Sequence, residues 1–124
     1  MTAVTAAGVP AHWLDAPGVD PENVLLFLHG GGFQFGALAS DGELASRLGR
    51  AAGMRVRFPE YRLAPEHPFP AALEDVRAVW RWLRIDQGIP PRSLAIAGDS
   101  AGGGLAVSSI ISARDGGEEV PAAA

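Results

Sequence analysis

Leu94-Ala95-Ile96-Ala97-Gly98-Asp99-Ser100-Ala101-Gly102-Gly103 joins a short apolar run to a series of small residues. The first four are continuously apolar, as a strand buried on both faces requires. Ala101 to Ala113 then reads as a helix that stops at Gly116-Gly117. Between the two, Gly98-Asp99-Ser100-Ala101-Gly102 matches G-x-S-x-G at a strand-to-helix turn, the setting of a nucleophile elbow. So tight a turn leaves no room for side chains at its flanks, hence glycine at 98 and 102. It lifts the Ser100 hydroxyl clear of the backbone, above a helix N-terminus where Ala101 offers a free N–H and a positive dipole end. Taken alone, the pattern equally fits a serine that merely caps the helix.

Working outward, two more strand–helix units precede it. Val24-Leu25-Leu26-Phe27-Leu28 is continuously apolar and stops at His29-Gly30-Gly31-Gly32. Ser40-Asp41-Gly42-Glu43 has the spacing of a capping box, with Ser40 as N-cap. Leu44, Leu48 and Ala51 follow at helical spacing, and Gly53 is the expected stop. Met54 to Phe58 reads as a strand in which Arg55 and Arg57 are discordant. Pro65, Pro68 and Pro70 exclude helix before about Pro70. Beyond them Leu73, Val76, Trp80 and Leu83 form an apolar stripe, with Glu74, Arg77, Arg81 and Arg84 around the other side. Trp80 and Trp82 read as packing residues. Val9 to Leu14 is a weaker strand candidate, followed by turn-rich Asp15 to Asn23. The alternation predicts an α/β fold, a mostly parallel sheet with flanking helices, in one domain spanning 1–124.

Composition narrows the chemistry. The chain has 124 residues and a net charge of −4, with no cysteine, so disulfide scaffolds, thiolate metal sites and cysteine nucleophiles are excluded. All ten basic residues are arginine. Without lysine there is no Schiff-base chemistry and no Walker loop. The arginines are scattered, which argues against nucleic acid as a partner. No apolar run approaches the ~20 residues of a membrane span. Met1 to Gly8 has neither a basic region nor a long apolar stretch, so a cytoplasmic location is expected.

His29-Gly30-Gly31-Gly32-Phe33 supplies the second chemical feature. Three glycines let the backbone turn without side chains and aim successive N–H groups into one cavity, where they stabilise an oxyanion. A phosphate cradle fits poorly, since G-x-G-x-x-G is incomplete. His29 lies on the loop itself and is expected to anchor it through hydrogen bonds.

His29-Gly30-Gly31-Gly32, Tyr61-Arg62-Leu63-Ala64-Pro65-Glu66-His67-Pro68-Phe69-Pro70-Ala71 and Gly98-Asp99-Ser100-Ala101-Gly102-Gly103, in that order, resemble the hormone-sensitive-lipase-type esterases of the α/β-hydrolase fold. The resemblance covers about Val9 to Ala124. It implies Ser100 as nucleophile and the amides of Gly31, Gly32 and Ala101 as oxyanion donors. It also implies hydrolysis of carboxylic esters of short or medium acyl chain, or of lactones, without cofactor or metal. A non-catalytic small-molecule receptor on the same fold is the alternative.

The chain departs from that pattern after the serine. The family order is serine, then acid, then histidine. Here only Asp115, Glu118 and Glu119 follow, with no histidine. Asp115 ends the helix that begins at Ser100, ~20 Å away by helix rise. His12 reads as a surface residue, and His67 is not expected to be a base. Arg62, Glu66 and Asp75 are placed to pair and pin the proline-rich loop. The expectation is therefore an N-terminal portion of an α/β-hydrolase, without lid helices, triad acid or base. Its serine-bearing strand would then be a bare sheet edge, and hydrolysis by these residues alone weak or absent.

Overall fold

A computed structural model describes residues 1–124. Five strands form one sheet in the order β1-β2-β4-β3-β5. These are β1 (Thr2–Ala6), β2 (Val9–Leu14), β3 (Asp20–Leu28), β4 (Met54–Pro59) and β5 (Leu94–Gly98). The helices are α1 (Leu38–Ala52), α2 (Ala71–Arg81), which continues as a π turn over Trp82–Asp86, and α3 (Ala101–Asp115). The parallel part is β4-β3-β5, with β3 central. To it β2 adds antiparallel on β4, and β1 antiparallel on β2. The sheet is thus mixed, α/β as expected.

β1 was not legible in the sequence. It is an outer strand that buries only Ala6, so its apolar alternation is weak. The turn into β2 has Ala7 at φ 51° and Gly8 at φ 84°, positive at both positions as a tight hairpin requires. At the opposite edge, β5 is partly covered rather than bare. Ala122 N–H donates to the Leu94 carbonyl (2.9 Å) and Ile96 N–H to that of Ala123 (3.0 Å).

The sheet separates two apolar layers. Val24, Leu26 and Leu28 face α2 and α3, packing with Val76, Val79, Trp80, Leu83 and Leu105. Leu25 and Phe27 face α1 with Val56 and Phe58. On that side the expected helix face was wrong. α1 buries Ala45 and Gly49, while Leu44 and Leu48 are exposed. A Cβ on Gly49 would collide with Val56, so the helix approaches β4 through its smallest residues. The cap also shifts. Ala37 is the N-cap, and Ser40, three residues inside, accepts the Ala37 N–H (3.0 Å). Glu60 accepts the Leu38 N–H (3.0 Å), so the helix start is tied from the end of β4.

Arg57 explains why β4 looked discordant. Its side chain is fully buried, with the guanidinium 4.5 Å from the ring centroids of both Trp13 and Trp82. Stacking between two indoles takes the place of hydrogen bonds, which none of its three nitrogens makes. Burial, with Arg55 close by, pulls its pKa down to about 10. The cation persists at neutral pH.

Arg77 is not on a solvated face as the stripe suggested. It is buried and donates to Glu118 and to the Ser109 carbonyl, while Arg81 donates to Glu118 (2.6 Å). This cluster fastens the segment after α3 onto α2. Burial raises the Glu118 carboxyl, but the Arg81 hydrogen bond and the charges of Arg77, Arg81 and Arg84 outweigh it, holding Glu118 below the ordinary range. A depressed carboxylate contributes stability above its unfolded value of about 4.3, and that contribution fades as pH falls through the folded value. Glu118→Gln should therefore lower stability at pH 7 by about 1–2 kcal/mol. In urea titrations the variant and parent curves should begin to converge as pH falls below about 4.3. Equal midpoints at pH 7 would contradict this.

Candidate active site

The carboxyl ends of the parallel strands β3 and β5 lie side by side, Leu28 paired with Gly98, so the two glycine-rich turns leave the sheet as neighbours. Ser100 sits between β5 and α3 at φ 53°, ψ −116°. A non-glycine residue with positive φ is strained by about 1–3 kcal/mol, and such strain concentrates at functional positions. Ser100 occupies the N-cap position of α3, yet its side chain makes no capping bond and is exposed. The capping alternative fails on that point.

The flanking glycines are sterically required. A Cβ on Gly98 would overlap the backbone of Gly102, and one on Gly102 would overlap the carbonyls of Leu28 and His29. The elbow is thereby pressed against the end of β3. Asp99 N–H donates to the Leu28 carbonyl (3.2 Å) and Gly102 N–H to that of Asp99 (2.8 Å). A Cβ on Gly30 would stand 2.9 Å from the Asp99 carbonyl oxygen and 3.4 Å from Ser100 Cβ. The glycine loop thus runs directly beside the serine.

Gly31 (φ 120°) and Gly32 (φ 62°) take backbone conformations that favour glycine. The Gly31 carbonyl accepts from Gln34 and Phe35, but the N–H groups of Gly31 and Gly32 donate to no protein atom. Ala101, first in α3, likewise lies beyond the reach of that helix's own carbonyls. The three amides named from sequence are therefore unengaged, on two turns that touch.

His29 anchors the loop. It is completely buried, stacked on Tyr61 at 4.3 Å between centroids, with Phe58 5.8 Å away. Its Nδ1 lies 2.7 Å from the Gly30 carbonyl, which only accepts, so Nδ1 carries the proton. The Tyr61 hydroxyl donates to the His29 carbonyl (2.5 Å). Burial, and secondarily the Asp41 charge, push that phenol upward, so it remains a donor. In the sequence Tyr61 stands only as the first residue of the proline-rich motif, with no role of its own assigned.

Arg62 pairs with Asp75 (2.9 Å) and Glu74 (3.5 Å) rather than with Glu66, which is exposed. The first turn of α2 brings 74 and 75 to the arginine. The Asp75 hydrogen bond is the main cause of the raised Arg62 pKa. Asp75 also accepts the Arg62 N–H (2.8 Å), pinning the loop at both side chain and backbone. His67 is exposed. His12 is half-buried on β2, its Nε2 3.7 Å from Glu60, rather than on the surface. Asp115 stands at the far end of α3. No helix is long and apolar enough to cross a membrane.

Comparison with known proteins agrees with the α/β fold. Residues 25–124 match the family model described as alpha/beta hydrolase fold. The chain is 46% identical over 121 residues to an acetyl-hydrolase of Streptomyces hygroscopicus, covering 98% of this chain and 40% of that one. A solved esterase/lipase from an uncultured bacterium superposes with a TM-score of 0.94 at 47% identity, covering 98% of this chain and 42% of that one. An esterase from the bacterial hormone-sensitive lipase family does so with a TM-score of 0.94 at 46% identity, covering 97% and 40%. The chain spans about 40% of the length of such relatives.

Proposed function

Since the chain belongs to the alpha/beta hydrolase fold family, we propose that it carries the nucleophile and oxyanion hole of a carboxylic ester hydrolase. Ser100 Oγ attacks the acyl carbon, and the carbonyl oxygen, as it gains charge, is received by the amides of Gly31, Gly32 and Ala101. Collapse of the tetrahedral intermediate expels the alcohol, which departs with the proton given up by Ser100, and leaves an acyl-enzyme that water hydrolyses to the carboxylic acid and the free serine. A cyclic ester reacts by the same steps, so lactones fall within the proposal. The observation that carries this reading is the pairing of a strained, uncapped Ser100 with unengaged glycine-loop amides beside it. Each such donor typically lowers the barrier by ~3 kcal/mol. The names of the relatives, acetyl-hydrolase and esterase among them, support the same reaction class.

Residues 1–124 contain no evident base. His29 is locked in the loop by its Gly30 bond, and no histidine follows Ser100. An activated phosphonate ester should still single out Ser100, since the hole favours its anionic transition state. Mass spectrometry of the treated protein should show the adduct at Ser100 forming faster than at exposed Ser108. Labelling of the two at equal rates favours the non-catalytic receptor.

A further inference from the structure

One short segment, 61–64, holds the glycine loop 29–33 at both ends. At the start of the loop the Tyr61 hydroxyl donates to the His29 carbonyl (2.5 Å), with the two rings stacked. At its end the Ala64 N–H donates to the Phe33 carbonyl (2.7 Å). Within the loop, Gln34 and Phe35 donate to the Gly31 carbonyl and set its shape. Gly31 and Gly32 have no side chains to pack, so the two ends govern where that shape sits against Ser100. The segment is fastened in turn to α2. Asp75 accepts the Arg62 N–H (2.8 Å) and the Arg62 Nε–H (3.0 Å). Asp75 is buried, and its neighbours Val76 and Val79 seat α2 in the core. The loop is thus referred, through Arg62, to the packing of α2 on the sheet.

We propose that Asp75 and Tyr61 are positioning residues for the oxyanion hole: Asp75 holds segment 61–64 on α2, and that segment sets the Gly31 and Gly32 amides at their working distance from Ser100. The assignment rests on the hydrolase reading above. Neither side chain acts on the reacting atoms directly, since both are buried, with Tyr61 engaged by His29 and Asp75 by Arg62. Their effect is through distance. An oxyanion donor works within about 2.7–3.1 Å of the developing charge, and a displacement of about 1 Å can cost on the order of 10²-fold in rate. An aspartate that only stabilised the fold would, when replaced, leave the relative reactivity of the serines unchanged.

Phosphonate labelling of the 124-residue protein tests this, read as the ratio of the Ser100 rate to the Ser108 rate. In Tyr61→Phe and in Asp75→Asn the ratio should fall at least about tenfold from that of the parent. Glu118→Gln, which loosens the distant contact of Arg77 and Arg81, should keep the parent ratio. By NMR relaxation the Gly31 and Gly32 amides should be rigid in the parent, with order parameters of about 0.85, and fall toward about 0.6 in the first two variants only. Tyr61→Phe keeps the ring stacked on His29 and decides alone should Asp75→Asn not fold. A parent ratio retained in Tyr61→Phe and Asp75→Asn overturns the positioning role and leaves the hydrolase reading standing. An equal fall in Glu118→Gln also overturns it, because general loosening then accounts for the loss. A parent with no preference for Ser100 counts against the hydrolase reading and overturns the assignment with it.

Discussion

Fused to the C-terminal part of the Streptomyces hygroscopicus acetyl-hydrolase that the similarity leaves unmatched, residues 1–124 are expected to hydrolyse p-nitrophenyl acetate, and Ser100→Ala to lower kcat by about 10⁵–10⁶-fold. Residues 1–124 hold a hydroxyl on a strained turn and three unengaged amides. They lack a histidine after the serine, and the three before it are occupied or misplaced: stacked under the loop, on β2, or exposed beyond Pro65. A serine hydroxyl without a base is a poor nucleophile, so the unfused chain should show at most ~10³-fold acceleration over water. The fusion is expected to restore the missing proton transfer and so make the Ser100 contribution measurable. A fusion protein whose activity survives Ser100→Ala within tenfold would falsify the nucleophile assignment.

The second large effect concerns stability. Gly102→Ala places a methyl group against the carbonyls of Leu28 and His29, which belong to the central strand and the glycine loop. Neither can withdraw without breaking the Asp99 to Leu28 hydrogen bond or the Tyr61 to His29 bond. The expected loss is about 3 kcal/mol, a large share of the 5–15 kcal/mol typical of a domain. Gly104→Ala, two residues on, faces open space and should change stability in the other direction, by about 0.5–1 kcal/mol. Urea midpoints for the pair measure both signs. Equal midpoints would mean that the elbow is not packed against β3 as described.

These glycines also show why the strand-to-helix turn could be read from sequence while other parts of the fold could not. At 98 and 102 the requirement is local: a tight strand-to-helix turn admits no Cβ, and the spacing records that directly. The loop of His29, Gly31 and Gly32 is likewise set by a few consecutive residues, whereas its meeting with Ala101 depends on β3 pairing with β5. Arg77 is the opposite case. Helical periodicity placed it on the solvated face, but Glu118, 41 residues away, and the Ser109 carbonyl make its burial tolerable. Arg57 depends on Trp13 and Trp82, and nothing in their local sequence marks either as the partner of a cation. The start of α1 moved from Ser40 to Ala37 because Glu60, from the end of β4, holds the first turn. Side chains that meet across long sequence separations leave no periodic trace.

The most direct measurement is a crystal structure of the protein carrying a phosphonyl group on Ser100. The tetrahedral oxygen should lie about 3 Å from the backbone nitrogens of Gly31, Gly32 and Ala101. An oxygen directed to solvent, with those three amides bonded elsewhere, would contradict the account.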